Sequence, residues 1–447
     1  MSSGDDIVRR YAALAVPRYT SYPTAAEFSA AVTPDHHARW LGRVGAGQRV
    51  SVYLHVPYCR ELCFYCGCHT KLTRREDVID AYRRALETEI ETVAGHLGGR
   101  SNVVRLHWGG GTPSILGASG MKSVLDVLHS HFTFEKAGEH AIELDPRYVD
   151  QALAADLRAM GINRASLGVQ DTAPQVQAAI GRIQPIETVQ SAVAHLRTAG
   201  IDRLNFDLIY GLPKQTVSSL TQTCQAVAEL RPDRIACYGY AHMPDRRANQ
   251  RQIDGSALPT SAERIEQAAT VFSELLRHGY EAVGLDHFAR PDDSLAIASH
   301  GQRLHRNFQG YTDDDCPMLL GFGASAISRL PDGYVQNMAD NPRYCRTVGE
   351  KKLASIRGCL MDTDDQVRAK IIESLMCNFR VDLGKVAGGK DFADEFTALQ
   401  PMIDDGLVVV QEGVVAMTAA GRAVVRVAAA IFDRHRWDTT GRFSLAV

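Results

Sequence analysis

The sequence predicts an α/β protein built on a parallel sheet, followed by a smaller and mostly helical domain. Through the middle of the chain, short apolar runs rich in β-branched residues alternate with longer segments of helical period. After about residue 345 this alternation stops, and a pattern of helix, strand, turn, strand and helix follows. A chain of 447 residues is also longer than one ordinary core, which favours at least two domains.

Six apolar runs are candidate strands: VSVYLHV at 50–56, VVRLHW at 103–108, AIEL at 141–144, RASLGV at 164–169, RLNFDLIY at 203–210 and RIACYGY at 234–240. Continuous apolar runs suit strands that are buried on both faces. Residues 78–97 carry an apolar stripe at steps of three and four, which predicts an amphipathic helix. Repeated strand–helix units imply a parallel sheet with right-handed crossovers. Periodicity alone leaves barrel-like closure and an open doubly wound sheet as alternatives.

The two ends of the chain differ from this repeat. Residues 393–432 predict a helix, the strand LVVV, a turn around Glu412 and Gly413, the strand VVAM and a helix, an arrangement typical of a winged-helix-like domain. Near the start, PRYTSYPTA is too rich in proline and turn formers for a regular element. We therefore predict an N-terminal arm over 1–35, a (β/α) domain over 36–345 and a helical, winged-helix-like domain over 346–447.

Composition narrows the function classes. A formal charge of −3 argues against a general nucleic-acid binder, because such affinity depends mainly on neutralising phosphates. No run of 18 apolar residues predicts a membrane span, and the first residues do not resemble a signal segment. We expect a cytoplasmic protein, in which ten cysteines serve as buried thiols or metal ligands rather than as disulfides.

Polar and glycine residues follow most of the candidate strands, in PYCRELC, GGGTPS, DPR, QD and GLPKQT. Taken singly, each segment is an ordinary polar loop. In parallel α/β folds, however, ligands bind at the carboxyl ends of the strands. Five such loops with cysteine, glycine, glutamine and aspartate at matching places therefore predict one common site.

Four cysteines lie within ten positions after the first strand: Cys59, Cys63, Cys66 and Cys68. Zinc is one alternative, but zinc sites usually add a second pair of ligands a dozen or more residues away, and none follows here. An iron–sulfur cluster suits the short spacing better, because the cluster itself spans the distance between its ligands. Three cysteines would leave one iron open to a substrate or cofactor.

The spacing C-x3-C-x2-C after the first strand resembles the radical S-adenosylmethionine (SAM) superfamily. The resemblance extends to the oxygen-independent coproporphyrinogen III oxidases over about residues 17–433, on PRYTSYPTA, CGCHT, HWGGGTPS, IELDPR, SLGVQD, NFDLIYGLPKQT, YAHMP, GLDHFARPDD, LHRNFQGYT, LLGFGASAIS, ESLMCNFRVD and AAGRAVVR. It implies a partial (β/α) barrel and one [4Fe–4S] cluster held by Cys59, Cys63 and Cys66. Cys68 is not expected to bind iron.

The resemblance also implies two SAM molecules held side by side. The residues that match the first position are Tyr53, Gly110, Glu143 and Ile327. Those that match the second are Tyr65, Gly111, Thr112, Gln170, Arg182, Asp207 and Ala241. Glu143 can accept hydrogen bonds from ribose or ammonium groups, and Arg182 can pair with a carboxylate.

The implied reaction turns two propionates of coproporphyrinogen III into vinyl groups by means of a 5′-deoxyadenosyl radical, which gives protoporphyrinogen IX. Its partners would be the tetrapyrrole and a small flavodoxin- or ferredoxin-like electron carrier, with no nucleic acid, no membrane and a monomeric chain. One alternative is a haem-handling relative, either a carrier or a haem-degrading enzyme. Another is a winged DNA reader, which Arg422, Arg426, Arg434 and Arg436 would serve.

Overall fold

The computed structural model describes residues 3–436, which form two compact units. Within these residues, 28–278 and 316–360 form one unit, here called the sheet unit, and 3–27, 279–315 and 361–436 form the terminal unit. Both units therefore combine segments that are distant in the sequence. The predicted division at residues 35 and 345 follows chain order instead, and part of its last segment, 437–447, lies outside the described residues.

The strands, in chain order, are β1 (Arg49–Val56), β2 (Tyr58–Cys59), β3 (Lys71–Leu72), β4 (Asn102–Gly110), β5 (Thr133–Leu144), β6 (Arg164–Gln170), β7 (Arg203–Tyr210), β8 (Arg234–Gly239), β9 (Glu281–Val283), β10 (His287–Ala289), β11 (His305–Asn307), β12 (Gly310–Thr312), β13 (Leu319–Phe322), β14 (Ile327–Leu330), β15 (Gly333–Asn337), β16 (Ser355–Leu360), β17 (Arg380–Asp382), β18 (Val408–Gln411) and β19 (Val414–Met417).

The helices are α1 (Ser3–Ala12), α2 (Pro34–Leu41), α3 (Glu76–His96), α4 (Gly117–His131), α5 (Gln151–Ala159), α6 (Pro174–Ala179), α7 (Ile186–Thr198), α8 (Val217–Glu229), α9 (Ser261–Arg277), α10 (Ser294–His300), α11 (Asn341–Gly349), α12 (Thr363–Asn378), α13 (Leu383–Val386), α14 (Ala393–Asp404) and α15 (Val425–Ile431).

The sheet unit contains a large, mostly parallel sheet, which confirms the α/β fold class. Its strands run in the order β16-β15-β14-β13-β1-β4-β5-β6-β7-β8. Strands β13, β1 and β4 to β8 are parallel to one another, and β14 to β16 extend the sheet beyond β13 in antiparallel pairs. From β1 to β8 the parallel strands follow one another in chain order without a reversal. A doubly wound sheet requires such a reversal, so this winding is that of a partial barrel.

The six predicted strands correspond to β1 and β4 to β8, and five of them have nearly the predicted bounds. β5 is the exception, since it begins at Thr133 rather than at residue 141. Its first half is polar and largely exposed, so it lacks the apolar signal that the other strands carry. The predicted helix after β1 is α3, which buries Tyr82, Leu86 and Ile90. The apolar stripe therefore identified the face of α3 that packs inward.

The terminal unit joins four helices of its C-terminal segment to a small antiparallel sheet with the order β17-β19-β18. β18 and β19 form the predicted strand–turn–strand, and Glu412 and Gly413 in the turn have positive φ angles of 49° and 77°. The N-terminal segment contributes Tyr11, Val16, Tyr19 and Tyr22 to the same apolar core. PRYTSYPTA lies there without regular secondary structure, as its composition predicts.

Helices long and apolar enough to cross a membrane are absent from residues 3–436.

Candidate cluster and cofactor site

The cysteine loop follows β1 directly and is closed by the short parallel pair of β2 and β3. Cys63 is buried, and Cys59 and Cys66 are half-buried. Polar groups reach two of the sulfurs. The hydroxyl groups of Thr70 and Thr112 lie 3.3 and 3.5 Å from the Cys59 Sγ, and Arg182 donates to the Cys63 Sγ over 3.4 Å. Such donors favour thiolates, the form in which cysteine binds metal, but at Cys59 burial outweighs them and raises the pKa.

A hydrogen bond between Cys66 and Cys68 shifts the pKa values of the two thiols in opposite directions. A hydrogen bond from the Cys68 thiol lowers the pKa of Cys66 to about 7, against the effect of burial. The same contact raises the pKa of Cys68 well above its usual value. Cys68 therefore keeps its proton and supports the neighbouring thiolate, which suits its expected place outside the set of iron ligands.

Two amide side chains from the segment after β8 hold the backbone of the cysteine loop. Asn249 Nδ2 lies within hydrogen-bond distance of the carbonyl oxygens of Cys63, Phe64 and Cys66, at 3.1, 3.1 and 2.9 Å. Gln250 Nε2 donates to the carbonyls of Tyr65, at 2.9 Å, and of Ala241, at 3.2 Å. Neither residue was predicted from the sequence, because both lie in a short 3-10 helix, Ala248–Gln252, which is too short to carry a periodic pattern.

The residues predicted for the first SAM are brought together around Glu143. Its carboxylate accepts from the backbone N–H of Gly110 over 3.0 Å and lies 3.1 Å from the Nε2 of His107. Burial opposes ionisation, but these hydrogen bonds outweigh it and lower the pKa of Glu143. The ring of Tyr53 stacks on His107 with centroids 5.8 Å apart. Glu143 is thus a charged acceptor at the carboxyl end of β5.

Ile327 is connected to Tyr53, another residue predicted for the first SAM, through the backbone of Gly321. In the sheet, Gly321 of β13 is paired with Tyr53 of β1. A side chain at Gly321 would come within 2.4 Å of the Ile327 carbonyl oxygen, so only glycine permits this approach of β13 to β14.

Glycine is also required where β4 ends and the glycine-rich turn begins, because the backbone there packs closely against other groups. Gly110 has φ of 111°, and a Cβ there would lie 2.7 Å from the imidazole of His55. A Cβ on Gly111 would lie 2.5 Å from the Tyr58 carbonyl oxygen. The turn therefore packs its backbone directly against β1 and β2, and the Gly110 N–H reaches Glu143.

Arg182 is the centre of the residues predicted for the second SAM. Its guanidinium lies 3.2 Å from Asp145, donates to the Gly168 carbonyl over 2.8 Å and reaches Cys63. Its Nε is buried and has no hydrogen-bond partner. Burial and the charge of Arg182 act in opposite directions on Tyr65, and burial prevails, so the pKa of Tyr65 is raised. Tyr65 and Arg182 are therefore neighbours beside the cysteine loop.

The remaining predicted residues mark successive strand ends. Gln170 ends β6 with a positive φ of 67°, and Asp207 of β7 is paired in register with Gly168 of β6. The Asp207 carboxylate accepts hydrogen bonds from Ser166 Oγ and Asn205 Nδ2, at 2.9 and 3.2 Å. Ala241 follows β8 and is tied to the cysteine loop by Gln250. Most of the predicted residues thus lie in or after the carboxyl-terminal halves of β1 and β4 to β8, whereas Arg182 follows α6 and Ile327 begins β14.

Asp145 is the second feature that the sequence analysis did not assign. It follows β5 in the polar segment DPR, and its buried carboxylate pairs with both Arg147 and Arg182. Burial opposes ionisation, yet the two guanidinium groups lower the pKa of Asp145. The polar segment after β5 was the available signal, but nothing in the sequence joined it to Arg182.

Comparison with known protein families shows which class of enzyme this chain resembles. The model of the radical SAM superfamily matches residues 53–227, which contain the second half of β1, the cysteine loop and β4 to β7. Iron–sulfur and SAM chemistry follow from this class, so a [4Fe–4S] cluster and SAM are the cofactors of the site. The model of the HemN C-terminal domain matches residues 361–424, in the terminal unit.

Curated relatives match nearly the whole chain. The oxygen-independent coproporphyrinogen III oxidase of Bradyrhizobium diazoefficiens is 45% identical, over 96% of this chain and 97% of that protein. Its counterpart in Escherichia coli is 41% identical, over 94% and 93%. The solved structure of the Escherichia coli coproporphyrinogen III oxidase, described as a radical SAM enzyme, has a TM-score of 0.89, with 94% of this chain and 97% of that chain covered. The chain therefore belongs to the family of oxygen-independent coproporphyrinogen III oxidases, which are radical SAM oxidoreductases.

The residues of the site fit the cofactors of that class. Three thiols share one loop, and nearby hydroxyl and guanidinium groups can donate to their sulfurs. A single zinc ion would require its protein ligands to converge on one point. In a cubane, by contrast, each thiolate binds a different iron, so the sulfurs need not converge on one point.

Proposed function

We propose that this protein converts coproporphyrinogen III to protoporphyrinogen IX without oxygen. In this reaction each of two propionates loses carbon dioxide, one β-hydrogen atom and one electron, and becomes a vinyl group. The observation that carries the proposal is the similarity over nearly the whole chain, including both matched domains, to the Escherichia coli coproporphyrinogen III oxidase. When bound, the cluster and SAM supply a 5′-deoxyadenosyl radical that removes hydrogen from an unactivated carbon.

The cysteine loop would hold the cluster through Cys59, Cys63 and Cys66. The contacts of their sulfurs with Thr70, Thr112 and Arg182 support this role, since each donor stabilises a thiolate. Asn249 and Gln250 would fix the loop before the cluster binds, because their hydrogen bonds go to the backbone rather than to the sulfurs.

The first SAM would lie against β1, β4 and β5, with Tyr53, Gly110, Glu143 and Ile327 as its neighbours. Glu143 supports this proposal best, because an ionised carboxylate at a strand end can accept from an ammonium or from ribose hydroxyl groups. The hydrogen bond from the Gly110 N–H would help to orient this carboxylate.

The second SAM would lie nearer β6 to β8, with Tyr65, Gly111, Thr112, Gln170, Arg182, Asp207 and Ala241 around it. The partnerless Nε of Arg182 supports this arrangement, since it is a buried donor that a carboxylate could satisfy. In the pairing of β6 with β7, Asp207 lies opposite Gly168. Arg182 donates a hydrogen bond to the carbonyl of Gly168.

The partners of this function would be the tetrapyrrole and a small flavodoxin- or ferredoxin-like electron carrier, acting on a monomer in the cytoplasm. The chain would bind neither nucleic acid nor membrane. Three arginines that a DNA reader could use have other contacts within the terminal unit: Arg422 lies over the ring of Phe379, Arg426 is buried, and Arg434 pairs with Asp362, Asp364 and Asp365.

An anaerobic assay tests the proposal. The chain is reconstituted with iron and sulfide and supplied with SAM, dithionite, coproporphyrinogen III and an electron acceptor. We expect protoporphyrinogen IX by mass spectrometry, with two 5′-deoxyadenosine molecules formed for each product. 5′-Deoxyadenosine without a vinyl product would contradict the proposed substrate. Tight stoichiometric binding of haem, with no turnover of coproporphyrinogen III, would favour a haem-handling relative instead.

Cysteine variants test the ligand assignment independently of turnover. Replacing Cys59, Cys63 and Cys66 together by alanine should abolish the absorption of the iron–sulfur cluster after reconstitution. The matched control is Cys68→Ala, in the same loop, which should retain the cluster and its iron content. A triple variant with an unchanged cluster spectrum would refute the assignment.

A further inference from the structure

We propose that exposed residues of the cysteine loop form a docking face for a small electron-carrier protein whose own contact surface is acidic. This face, here called the cluster-loop face, consists of Arg60, Lys71, Leu72 and Arg74. The proposal rests on the proposed function, which requires an external source of single electrons. In the electron transfer, the carrier loses one electron and the iron–sulfur cluster gains it, and no bond is formed or broken.

The four side chains are placed around Cys59 by local structure. The parallel pair of β2 and β3 sets Tyr58 opposite Lys71 and Cys59 opposite Leu72. Arg60 directly follows Cys59, and Arg74 Nε donates to the Arg60 carbonyl over 3.4 Å. All four residues are exposed. Strand pairing and chain order therefore place the face next to Cys59, one of the proposed iron ligands.

Charge at the cluster-loop face is opposite in sign to that of the chain. In the region covered by the structure, Arg60, Lys71 and Arg74 form no ion pair, whereas two neighbouring arginines do: Arg75 with Asp77 and Arg147 with Glu61. The face thus adds three positive charges to a chain whose formal net charge is −3. Complementary charge steers association and selects partners, so these cations favour an acidic protein.

Leu72 adds an exposed apolar side chain between Lys71 and Arg74 in the sequence. It is 57% exposed, one of the most exposed large apolar side chains among the described residues. A single exposed leucine is ordinary, but protein interfaces typically combine an apolar centre with a charged rim. Leu72 between Lys71 and Arg74 reproduces that arrangement on a small scale.

A cavity of about 400 Å³ shares Arg60 with the face. Its lining includes Arg60, Thr112, Ser114, Arg147 and Tyr148. The guanidinium groups of Arg60 and Arg147 both lie over the Tyr148 ring, 5.7 and 5.6 Å from its centroid. The Thr112 hydroxyl on the same lining donates to the Cys59 sulfur. A carboxylate of the carrier could pair there with Arg60, because Arg147 is already paired with Asp145 and Glu61 and Asp150 lies on the same lining.

The test measures carrier binding to the reconstituted chain, with purified flavodoxin as the probe. In the double variant K71E/R74E, we expect the Kd for flavodoxin to rise at least tenfold at 50 mM salt. The matched control is K136E/R203E, which makes the same charge change at exposed residues in the amino-terminal parts of β5 and β7, at the opposite edge of the sheet. The control should bind as the wild type does, and wild-type binding should weaken as salt is added.

A parallel assay with dithionite separates failure of this inference from failure of the proposed function. If the wild type cannot cleave SAM with dithionite, the proposed function is wrong. If the wild type is active but K71E/R74E binds flavodoxin as tightly as the control variant, the docking face is wrong. A raised KM for coproporphyrinogen III in K71E/R74E with dithionite would also overturn the inference, because these cations would then hold the substrate. We expect K71E/R74E to retain wild-type kinetics with dithionite and to lose flavodoxin-driven turnover.

Discussion

At the scale of single residues, Arg182 connects the buried Asp145 carboxylate with the cysteine loop. Its guanidinium is buried between the Asp145 carboxylate, the Gly168 carbonyl and the Cys63 sulfur. Asp145 has a second cationic partner in Arg147, which pairs outward with Glu61 as well. The two arginines thus share one carboxylate, but they contact the cysteine loop differently: Arg182 donates to the Cys63 sulfur, whereas Arg147 pairs with the Glu61 carboxylate. This difference allows structural and cofactor-binding effects to be separated.

We expect Arg182→Met to lower the free energy of unfolding by about 3 kcal/mol, because Asp145 would remain buried with one cation fewer. In the reconstituted chain, the same variant should bind one SAM rather than two, since the proposed second site loses its guanidinium. Urea unfolding measures the first effect, and equilibrium dialysis with labelled SAM measures the second.

Arg147→Met is the control for this prediction, because it also removes a cation from Asp145 but leaves the proposed second site in place. It should lower stability and retain two bound SAM molecules. Equal SAM stoichiometry in both variants would show that Arg182 has only a structural role.

At the scale of elements, the cysteine loop depends on a segment far away in the sequence. The loop is irregular between β2 and β3, and the Asn249 amide connects three of its carbonyl groups. A site that must hold a cluster in one geometry benefits from such preorganisation. The segment after β8 therefore acts on the loop that follows β1.

Asn249→Asp should loosen this loop, because a carboxylate in place of the amide can only accept hydrogen bonds and would face three acceptors. We expect faster hydrogen exchange across residues 60–70 in the chain without iron, and fewer than four irons per chain after reconstitution. Asn102→Asp makes the same change at the amino end of β4 and should alter neither measurement. Normal exchange in the loop of Asn249→Asp would contradict the predicted role.

Helix α3 carries a buried carboxyl group whose ionisation should make stability depend on pH. Glu89 accepts hydrogen bonds from the Tyr344 hydroxyl, the Gly323 N–H and the Asn337 amide. Burial outweighs these donors and raises the pKa of Glu89 from 4.5 to about 7. Because the folded state binds this proton more tightly than the unfolded state, Glu89 should reduce stability as pH rises from about 4.5 to above 7.

The contribution of Glu89 to the free energy of unfolding should fall by about 3 kcal/mol over that range, since each pKa unit corresponds to about 1.4 kcal/mol. We expect the stability difference between the wild type and Glu89→Gln to change by that amount in favour of the glutamine variant between pH 5 and pH 8.5. Urea unfolding at several pH values measures it. A difference that does not vary with pH would mean that the pKa of Glu89 is close to its ordinary value in the folded chain.

At the scale of the whole molecule, the sequence predicted what is local or periodic. Apolar runs identified β1 and β4 to β8, and the polar segments after these strands predicted where the candidate site lies. The pairing of Arg182 with Asp145 and the hold of Asn249 on the cysteine loop join residues that are 37 and at least 183 positions apart. Contacts of this kind have no periodic signal, so only the folded chain reveals them. The same reason explains why linear segments did not indicate a terminal unit made of three separate stretches.

The terminal unit gives the last prediction, because its core depends on the start of the chain. Tyr11, Val16, Tyr19 and Tyr22 are buried in the same apolar cluster as residues of α12 and α15. Burying one large side chain typically stabilises a fold by about 1.5 to 3 kcal/mol, so four of them approach the whole stability of a small unit. We therefore expect removal of residues 1–24 to expose α12 and α15 to rapid hydrogen exchange, while α3 and β4 in the sheet unit keep their protection. Tyr19→Phe provides the graded control: it retains the ring but loses the 2.9 Å hydrogen bond to Asp433, and should cost about 1 kcal/mol. Wild-type protection of α12 and α15 in the shortened chain would mean that residues 361–436 fold without the N-terminal segment.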